Sequence, residues 1–205
     1  MNYQKELDKI IEQLTAIGYR PKLLIHSCCA PCSSYVLEYL SNYFDITIYY
    51  YNPNIYPEQE YNRRVEEQQA LIKAMSLPTE ISFMQGEYNT AYYYEQIKGL
   101  ETEPEGGKRC FTCYELRLEE AAKLAANHGF NFFTTTLSIS PHKNADKLNE
   151  IGLKQAALHG VNYLPSDFKK KNGYKRSIEL SKEYNLYRQD YCGCVFSMKN
   201  REDRE

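Results

Sequence analysis

The chain of 205 residues is long enough for one hydrophobic core, and its 42% hydrophobic and 25% charged residues are typical of a globular protein. Its net charge of −2 gives no global footprint for nucleic-acid binding. The polar N-terminal segment lacks the apolar stretch of a signal peptide, and no run approaches the roughly 20 apolar residues of a membrane span. We therefore expect a cytoplasmic protein with no membrane partner.

The first half of the chain alternates predicted helices with predicted strands. A polar amphipathic helix at 1–20 leads into a short apolar strand at 22–27. Ser33 or Ser34 is the predicted N-cap of the next helix. Farther along, the pattern predicts a β-branched and aromatic strand, a helix with i to i+4 charge pairs and a third strand, at 45–52, 60–76 and 79–85.

The second half continues the alternation, and glycines mark two predicted helix ends, at Gly129 and Gly160. The predicted elements are, in order, a short helix at 90–100, a loop at 101–108, a helix from 110, a strand at 130–140, a helix from 143, a strand at 161–165 and a helix at 177–185. The C-terminal segment, residues 186–205, shows no regular pattern, and we expect it to be irregular.

Strands that alternate with helices predict an α/β fold with a parallel sheet. We expect a single Rossmann-like domain over residues 1–205, with a doubly wound, mostly parallel sheet and helices on both faces. Ligands of such sheets bind beyond the carboxyl ends of the strands. The segment HSCCAPCSS, residues 26–34, follows the first predicted strand and therefore lies at this edge.

The seven cysteines occur in three close groups. Thiols are kept reduced in the cytosol, where structural disulfides are uncommon, and cysteines that only fill a core have no reason to cluster. Close groups of this kind indicate metal ligands or a redox couple. The three groups are Cys28, Cys29 and Cys32; Cys110 and Cys113; and Cys192 and Cys194.

The first two groups can together supply a four-sulfur metal site. Two thiolates from HSCC and two from RCFTC complete a tetrahedral set, and sulfur-only coordination suits zinc or an iron–sulfur cluster. Cys29 with Cys32 and Cys110 with Cys113 have the C-x2-C spacing of a zinc ribbon, which would leave Cys28 unused. The spacing alone leaves zinc and iron–sulfur both open.

The third group favours electron transfer over a structural disulfide. Cys192 and Cys194 are separated by one glycine, so a bond between them closes a tight ring away from ideal disulfide geometry. Strain of this kind makes a disulfide easy to reduce. The alternative is that both cysteines are additional metal ligands.

Six blocks of this sequence resemble a known family. They are, in order from residue 28 to residue 197, CCAPC, NPNIYP, RCFTCYELRL, FTTTLSIS, SDFKKKNGY and LYRQDYCGCVFS. Together they are similar to the epoxyqueuosine reductases of the QueH type. The resemblance implies a two-electron reductive deoxygenation of epoxyqueuosine to queuosine in tRNA, the last step of queuosine biosynthesis, without cobalamin.

The resemblance also implies site residues and partners. It assigns a [4Fe–4S] cluster to Cys28, Cys29, Cys110 and Cys113, a redox-active catalytic pair to Cys192 and Cys194, and a possible additional adjacent iron ion to Cys32. The reaction requires two protons, and the candidate proton donors are Tyr114, Arg117 and Lys143. The alternative for Tyr114 and Arg117 is that they pack or pair on their helix. The expected partners are the anticodon loop of tRNA that carries epoxyqueuosine, and an unidentified electron donor.

A short basic run is the candidate tRNA contact. The segment FKKKNGYKR, residues 168–176, carries five cations and Tyr174, whose ring could stack on a base. The alternative is a solvated loop. The cations are Lys169, Lys170, Lys171, Lys175 and Arg176.

Two other functions compete with the reductase. A zinc-binding, non-catalytic RNA-binding module explains the first two cysteine groups but gives no role to Cys192 and Cys194. The ATP-using tRNA-modifying enzymes on a similar sheet have a glycine-rich phosphate loop after the first strand. HSCCAPCSS contains no glycine, which argues against a phosphate site here.

Overall fold

In the computed structural model, which describes residues 1–202 and side chains as far as Lys199, five strands form one sheet that helices surround. The strands are β1 Lys22–His26, β2 Asp45–Tyr50, β3 Ser82–Gln85, β4 Phe132–Thr135 and β5 Asn162–Tyr163. The helices are α1 Tyr3–Ala16, α2 Ala30–Leu40, α3 Glu58–Ala74, α4 Thr90–Gln96, α5 Lys108–Asn127, α6 Ala145–His159, α7 Gly173–Glu183 and α8 Val195–Glu202. Within residues 1–202, no helix combines the length and apolar character that crossing a membrane demands.

The sheet is parallel throughout and doubly wound. Its strand order is β3-β2-β1-β4-β5, and each neighbouring pair is parallel. The chain moves outward from β1 through β2 to β3, and then returns to the other side of β1 for β4 and β5. The point of reversal lies between the carboxyl ends of β1 and β4, where ligands of such folds bind. The fold class predicted from the sequence is confirmed.

Alternating residues of the sheet face two separate hydrophobic clusters. Leu23 and Ile25 pack with side chains of α1, α2 and α3 on one face. Leu24, between them, packs on the opposite face with side chains of α5 and α6. This is the two-residue period of a strand that is buried on both sides. Helix α7 packs outside α2. Both faces of β1 are therefore covered, and its carboxyl end is left to carry the site.

Helix α2 begins earlier than the sequence indicated. Its N-cap is Cys29 and Pro31 lies in its first turn, whereas the predicted caps, Ser33 and Ser34, lie inside the helix. Both serine hydroxyls donate to backbone carbonyls three residues earlier, which satisfies them without capping. Proline fits the first turn because the amide that it lacks has no helical partner there. The earlier start brings Cys32 into the first turn of α2.

The predicted strand at 130–140 is divided. Strand β4 ends at Thr135, and a 3₁₀ helix, Thr136–Ile139, follows it. The Thr135 hydroxyl accepts a hydrogen bond from the Leu137 amide at 3.2 Å, which caps the new helix. The same hydroxyl lies 3.0 Å from Nδ1 of the buried His26. Strand β4 therefore ends at Thr135, because the hydroxyl of this residue caps the 3₁₀ helix and is held by His26 of β1.

The C-terminal segment, residues 186–205, is not irregular throughout, because helix α8, Val195–Glu202, occupies eight of its residues. The ring of Phe196 on this helix lies 4.3 Å below the guanidinium of Arg109 and packs near Tyr93 and Ile97. The helix is thus held by tertiary contacts that the local sequence pattern did not reveal. Residues 203–205 of the predicted irregular segment lie outside the described residues.

Gly152 in α6 permits close contact between this helix and β5. A Cβ atom at this position would lie 2.4 Å from ring carbons of Tyr163. Helix propensity alone predicts that Gly152→Ala stabilises the fold by about 1 kcal/mol. We expect the opposite: the free energy of unfolding, measured by chemical denaturation, should fall by about 2 kcal/mol, because the buried Tyr163 ring must move.

The matched control is Ala157→Gly, at an exposed position of the same helix. Its free energy of unfolding is expected to fall by about 1 kcal/mol, because glycine has a lower helix propensity than alanine. A stabilised Gly152→Ala variant would contradict the packing of α6 on β5.

Candidate metal and redox site

A cavity of about 340 Å³ opens at the switch point of the sheet. Its wall combines the turn after β1, the segment after β4, the middle of α5, the start of α7 and the C-terminal segment. The reactive side chains in this wall include the thiols of Cys28, Cys32 and Cys192, the cations Arg117, Lys143 and Arg188, and the rings of His142 and Tyr174. Members of the first and third cysteine groups therefore share one cavity with three cations.

The first cysteine group forms a compact set of sulfur atoms. The Sγ atoms of Cys28, Cys29 and Cys32 all lie within 4.8 Å of one another. The Cys28–Cys29 distance is 3.9 Å and the Cys29–Cys32 distance is 2.6 Å. Two thiolates on one tetrahedral ion with bonds of about 2.3 Å stand about 3.8 Å apart. The buried Cys28 and Cys29 have this spacing, whereas Cys32 is half-buried and its sulfur lies closer to Cys29. Among the described residues, these three cysteines form a group that could hold a metal ion.

The protonation of this set favours a metal. Hydrogen bonds from Cys29 and Cys32 lower the pKa of the Cys28 thiol. Burial raises the pKa of Cys29, and hydrogen bonds with Cys28 and Cys29 raise the pKa of Cys32. The three thiols therefore influence one another, and the pKa of Cys28 is lowered while those of Cys29 and Cys32 are raised. A bound metal ion would take the place of the protons, and the sulfur-only donor set fits zinc or iron–sulfur chemistry.

The second cysteine group lies on the first turns of α5. The Gly106 amide donates to Cys110 Sγ at 3.2 Å, while Cys113 is buried beside Tyr93. Cys110 borders the same hydrophobic cluster as Cys28 and Cys29. The second group is not part of the three-sulfur set that lies within 4.8 Å. Coordination of one group by Cys28, Cys29, Cys110 and Cys113 stays a prediction.

A buried guanidinium lies between the cysteine groups. Arg117 is 1% exposed; its Nε donates to the Cys113 carbonyl at 3.1 Å and its Nη1 to Asn52 Oδ1 at 3.5 Å. Its Nη2 has no hydrogen-bond partner among the described residues. Burial opposes the charge, but attraction to Cys113, Cys192 and Cys28 outweighs it and raises the pKa of Arg117. The unpaired donor and the cavity wall that it joins are suited to an anionic group.

The turn between Cys192 and Cys194 is fixed by a second buried arginine. Arg64, on α3, donates from Nη1 to the Cys192 carbonyl at 3.3 Å and pairs with Glu60 at 2.7 Å. The Gly193 carbonyl accepts from the Tyr56 amide at 2.7 Å. Gly193 has φ +117°, and a Cβ there would lie 3.1 Å from Arg64. Glycine is therefore required at the centre of this turn.

Lys143 contacts the third cysteine group directly. Its Nζ donates to Cys192 Sγ at 2.8 Å, and both side chains line the cavity. Cys194 is buried, and burial is the main reason that the pKa of its thiol is raised. All seven cysteines are free thiols in this structure. Cys192 therefore lies in the cavity wall, whereas Cys194 is not part of it.

Three of the five cations in the candidate tRNA contact, residues 168–176, form ion pairs with carboxylates of this protein. Lys169 pairs with Asp167 at 3.0 Å, Lys171 with Asp8 at 2.7 Å, and Arg176 with three glutamates that include Glu38 at 2.6 Å. Lys170 and Lys175 are exposed, and Tyr174 lines the cavity instead of the outer surface. The run therefore offers less free positive charge than its sequence suggests.

Sequence reasoning missed the residues that fix the thiol-bearing turns. Asn52 Nδ2 donates to the Ser27 carbonyl at 2.8 Å, and Gln68 Oε1 accepts from Ser27 and Ser33 at 2.8 and 2.9 Å. The available signal for Asn52 was its position directly after the second strand, at the same sheet edge as Cys28. No local signal distinguished Gln68 or Arg64 from other polar residues on α3.

The fold and site define an α/β protein with a thiol-dependent redox or metal centre at the switch point. A family model described as epoxyqueuosine reductase QueH matches residues 23–200. The chain is 48% identical to the epoxyqueuosine reductase QueH of Staphylococcus epidermidis, over 96% of this chain and 84% of that one. It is 43% identical to the epoxyqueuosine reductase QueH of Streptococcus pyogenes serotype M1, over 97% of this chain and 80% of that one. It is 37% identical to that of Thermotoga maritima, over 89% of this chain and 93% of that one. The chain belongs to the epoxyqueuosine reductase QueH family, and it is an oxidoreductase.

Among solved structures, the chain is similar to the U34-tRNA thiolase NcsA from Methanococcus maripaludis with its [4Fe–4S] cluster. The TM-score is 0.49 at 10% sequence identity, over 97% of this chain and 71% of that one. A similarity at this level carries no conclusion about the function of this chain.

The anchoring of the Cys192–Cys194 turn by Arg64 can be tested by thiol alkylation. In Arg64→Met the hydrogen bond to the Cys192 carbonyl is lost, so we expect the buried Cys194 to be alkylated about tenfold faster in the native protein. Mass spectrometry of the alkylated peptides gives the rate. The control is Arg63→Met, which removes a cation that lies 3.4 Å over the Tyr187 ring. Equal Cys194 rates in the wild type and Arg64→Met would show that Arg64 does not hold the turn.

Proposed function

We propose that this protein catalyses the two-electron reductive deoxygenation of epoxyqueuosine to queuosine in tRNA, the last step of queuosine biosynthesis, without cobalamin. The observation that carries the proposal is the shared cavity, in which Cys28, Cys32 and Cys192 lie with Arg117 and Lys143. Electron-donating thiols and proton-bearing cations are the two kinds of group that removal of an epoxide oxygen as water requires. Family membership supplies the substrate class.

The proposed cofactor is a [4Fe–4S] cluster held by Cys28, Cys29, Cys110 and Cys113. The sulfur-only chemistry of these residues and the unpaired Nη2 of Arg117 support it. When bound, such a cluster supplies single electrons. Cys32, whose Sγ lies 2.6 Å from Cys29 Sγ, is the proposed ligand of a possible additional adjacent iron ion.

The residues of this chain account for the remaining requirements. Cys192 and Cys194 together can give up two electrons and two protons when they form a disulfide, and an unidentified electron donor must later reduce them. Arg117 is always charged and can hydrogen-bond the oxygen as negative charge develops on it. Tyr174 at the cavity wall can stack on the modified base.

Separate variants distinguish cofactor binding from turnover. Cys113→Ser is expected to reduce bound iron and sulfide and to abolish formation of queuosine. Cys194→Ser is expected to keep the iron, the sulfide and the visible absorbance, but to lose the product by about a hundredfold or more, because one of the two thiols is missing. Anaerobic iron and sulfide analysis and chromatography of nucleosides from tRNA provide the two measurements.

The competing function predicts a different result. A zinc-binding, non-catalytic RNA-binding module would be colourless, contain stoichiometric zinc and leave epoxyqueuosine unchanged. That result with the anaerobically purified wild type would reject the proposed function.

The two exposed cations of the basic run provide the test for tRNA contact. We expect the Lys170→Ala, Lys175→Ala double variant to bind tRNA more weakly and to lower the dependence of log affinity on log salt by about 0.7 to 0.9 per lost phosphate contact. Filter binding at several salt concentrations measures this slope. Lys73→Ala, in the last turn of α3, is the control at the opposite edge of the sheet. An unchanged slope would exclude these lysines from the tRNA interface.

A further inference from the structure

We propose that Lys143 is a catalytic residue that stores the proton of Cys192 and releases it to the departing epoxide oxygen when Cys192 and Cys194 are oxidised to a disulfide. The inference rests on the proposed function and extends it, because it selects one proton donor and couples its release to the oxidation of the thiol pair.

The geometry places Lys143 between the thiol and the substrate space. Its Nζ donates to Cys192 Sγ at 2.8 Å, so the amine and the sulfur are in direct contact. Lys143 and Cys192 both line the cavity of about 340 Å³. A proton on Lys143 can therefore leave toward Cys192 or toward a molecule in the cavity.

Tyr114 and Arg117, the other two candidate proton donors, each lack either access to the cavity or a proton that can be released. The Tyr114 side chain is 2% exposed and belongs to the hydrophobic cluster of α5 and α6, not to the cavity wall. Arg117 does reach the cavity, but a guanidinium stays protonated in proteins and cannot serve as an acid. Lys143 combines access with a proton that it can give up.

The charges around Lys143 explain why release follows oxidation. Burial, the largest single effect, lowers the pKa of Lys143, and the Arg117 guanidinium lowers it as well. The interaction with Cys192, whose sulfur accepts the hydrogen bond of Lys143, raises the pKa of Lys143 and outweighs both effects. Cys113 also interacts with Lys143. The other charged or titratable side chains in the wall of the same cavity include Glu105, His142, Arg188 and Asp190. Disulfide formation removes the charge of Cys192, so burial and Arg117 then favour loss of the proton.

The complete step is balanced. The two C–O bonds of the epoxide break, one carbon–carbon π bond and one S–S bond form, and the oxygen leaves as water. Two electrons come from the oxidation of Cys192 and Cys194 to the disulfide. One proton comes from Lys143, where it was held for Cys192, and the other from the thiol of Cys194.

The direct test counts the protons released per disulfide, without substrate. The full-length, anaerobically purified protein is equilibrated with glutathione redox buffers over one pH unit on each side of neutral. Alkylation and mass spectrometry then give the oxidised fraction of the Cys192–Cys194 peptide. Reduction of glutathione disulfide to two thiols takes up two protons. Release of two protons by the protein therefore leaves the oxidation equilibrium against glutathione independent of pH, whereas release of one changes it about tenfold per pH unit, with less oxidation at higher pH. The wild type is expected to release two.

Lys143→Arg separates proton storage from simple charge. Arginine keeps the cation beside Cys192 but cannot release a proton, so this variant is expected to release one proton per disulfide. If the oxidation equilibrium of Cys192 and Cys194 depends on pH equally in the wild type and in Lys143→Arg, the proposal is overturned. Lys143 would then either keep its proton after oxidation or never have held the proton of Cys192.

Single-turnover reduction of epoxyqueuosine by the prereduced enzyme provides the second measurement. Lys143→Arg and Lys143→Met are both expected to slow it by about a hundredfold, the typical effect of losing a general acid. Lys147→Met, which removes a half-exposed lysine paired with Glu150, is the control and is expected to match the wild type. Recovery of the wild-type rate in Lys143→Arg would overturn the proposal. A wild-type enzyme that releases two protons but forms no queuosine would reject the proposed function instead.

Discussion

Sulfur atoms that carry negative charge repel one another, and a buried group of them is stable only when cations lie among them. This constraint explains the arrangement at the switch point. Arg117 lies within the electrostatic reach of Cys28, Cys113 and Cys192, one member of each cysteine group. Lys143 contacts the third group directly. A metal bound by the first two groups would supply the remaining positive charge, because thiolates replace thiols when they become ligands.

The doubly wound sheet explains how segments that are distant in sequence reach the same edge. The first group follows β1 and Lys143 follows β4, so adjacent parallel strands bring both to one edge. Helix α5 packs against β1 and carries Cys113 and Arg117 one turn apart, and its own backbone fixes the spacing of the cation from the thiol. The C-terminal turn reaches the same edge because Arg64 holds it from α3. Members of the first and third cysteine groups, which are far apart in sequence, thus line one cavity.

Most of the fold could be predicted from the sequence, because apolar strands and periodic helices are local patterns. The errors occurred where a tertiary contact decides the local structure. Thr135 ends β4 because its hydroxyl caps a 3₁₀ helix beside His26, and α8 forms because Phe196 packs against Arg109. In the site, the cysteine spacing identified the three groups, but the buried partners of the cations could not be read from the sequence. Lys171 is an example: its partner, Asp8, lies 163 positions away on α1.

The convergence of distant cysteines on bound iron is tested most directly by anomalous diffraction at the iron absorption edge, from crystals grown without oxygen. Anomalous density is expected in contact with the sulfur atoms of Cys28, Cys29, Cys110 and Cys113, at the carboxyl edge of β1. Iron density that touches the first group while Cys110 and Cys113 remain free thiols would contradict the shared site. Density for zinc alone would contradict the electron-transfer role of the metal.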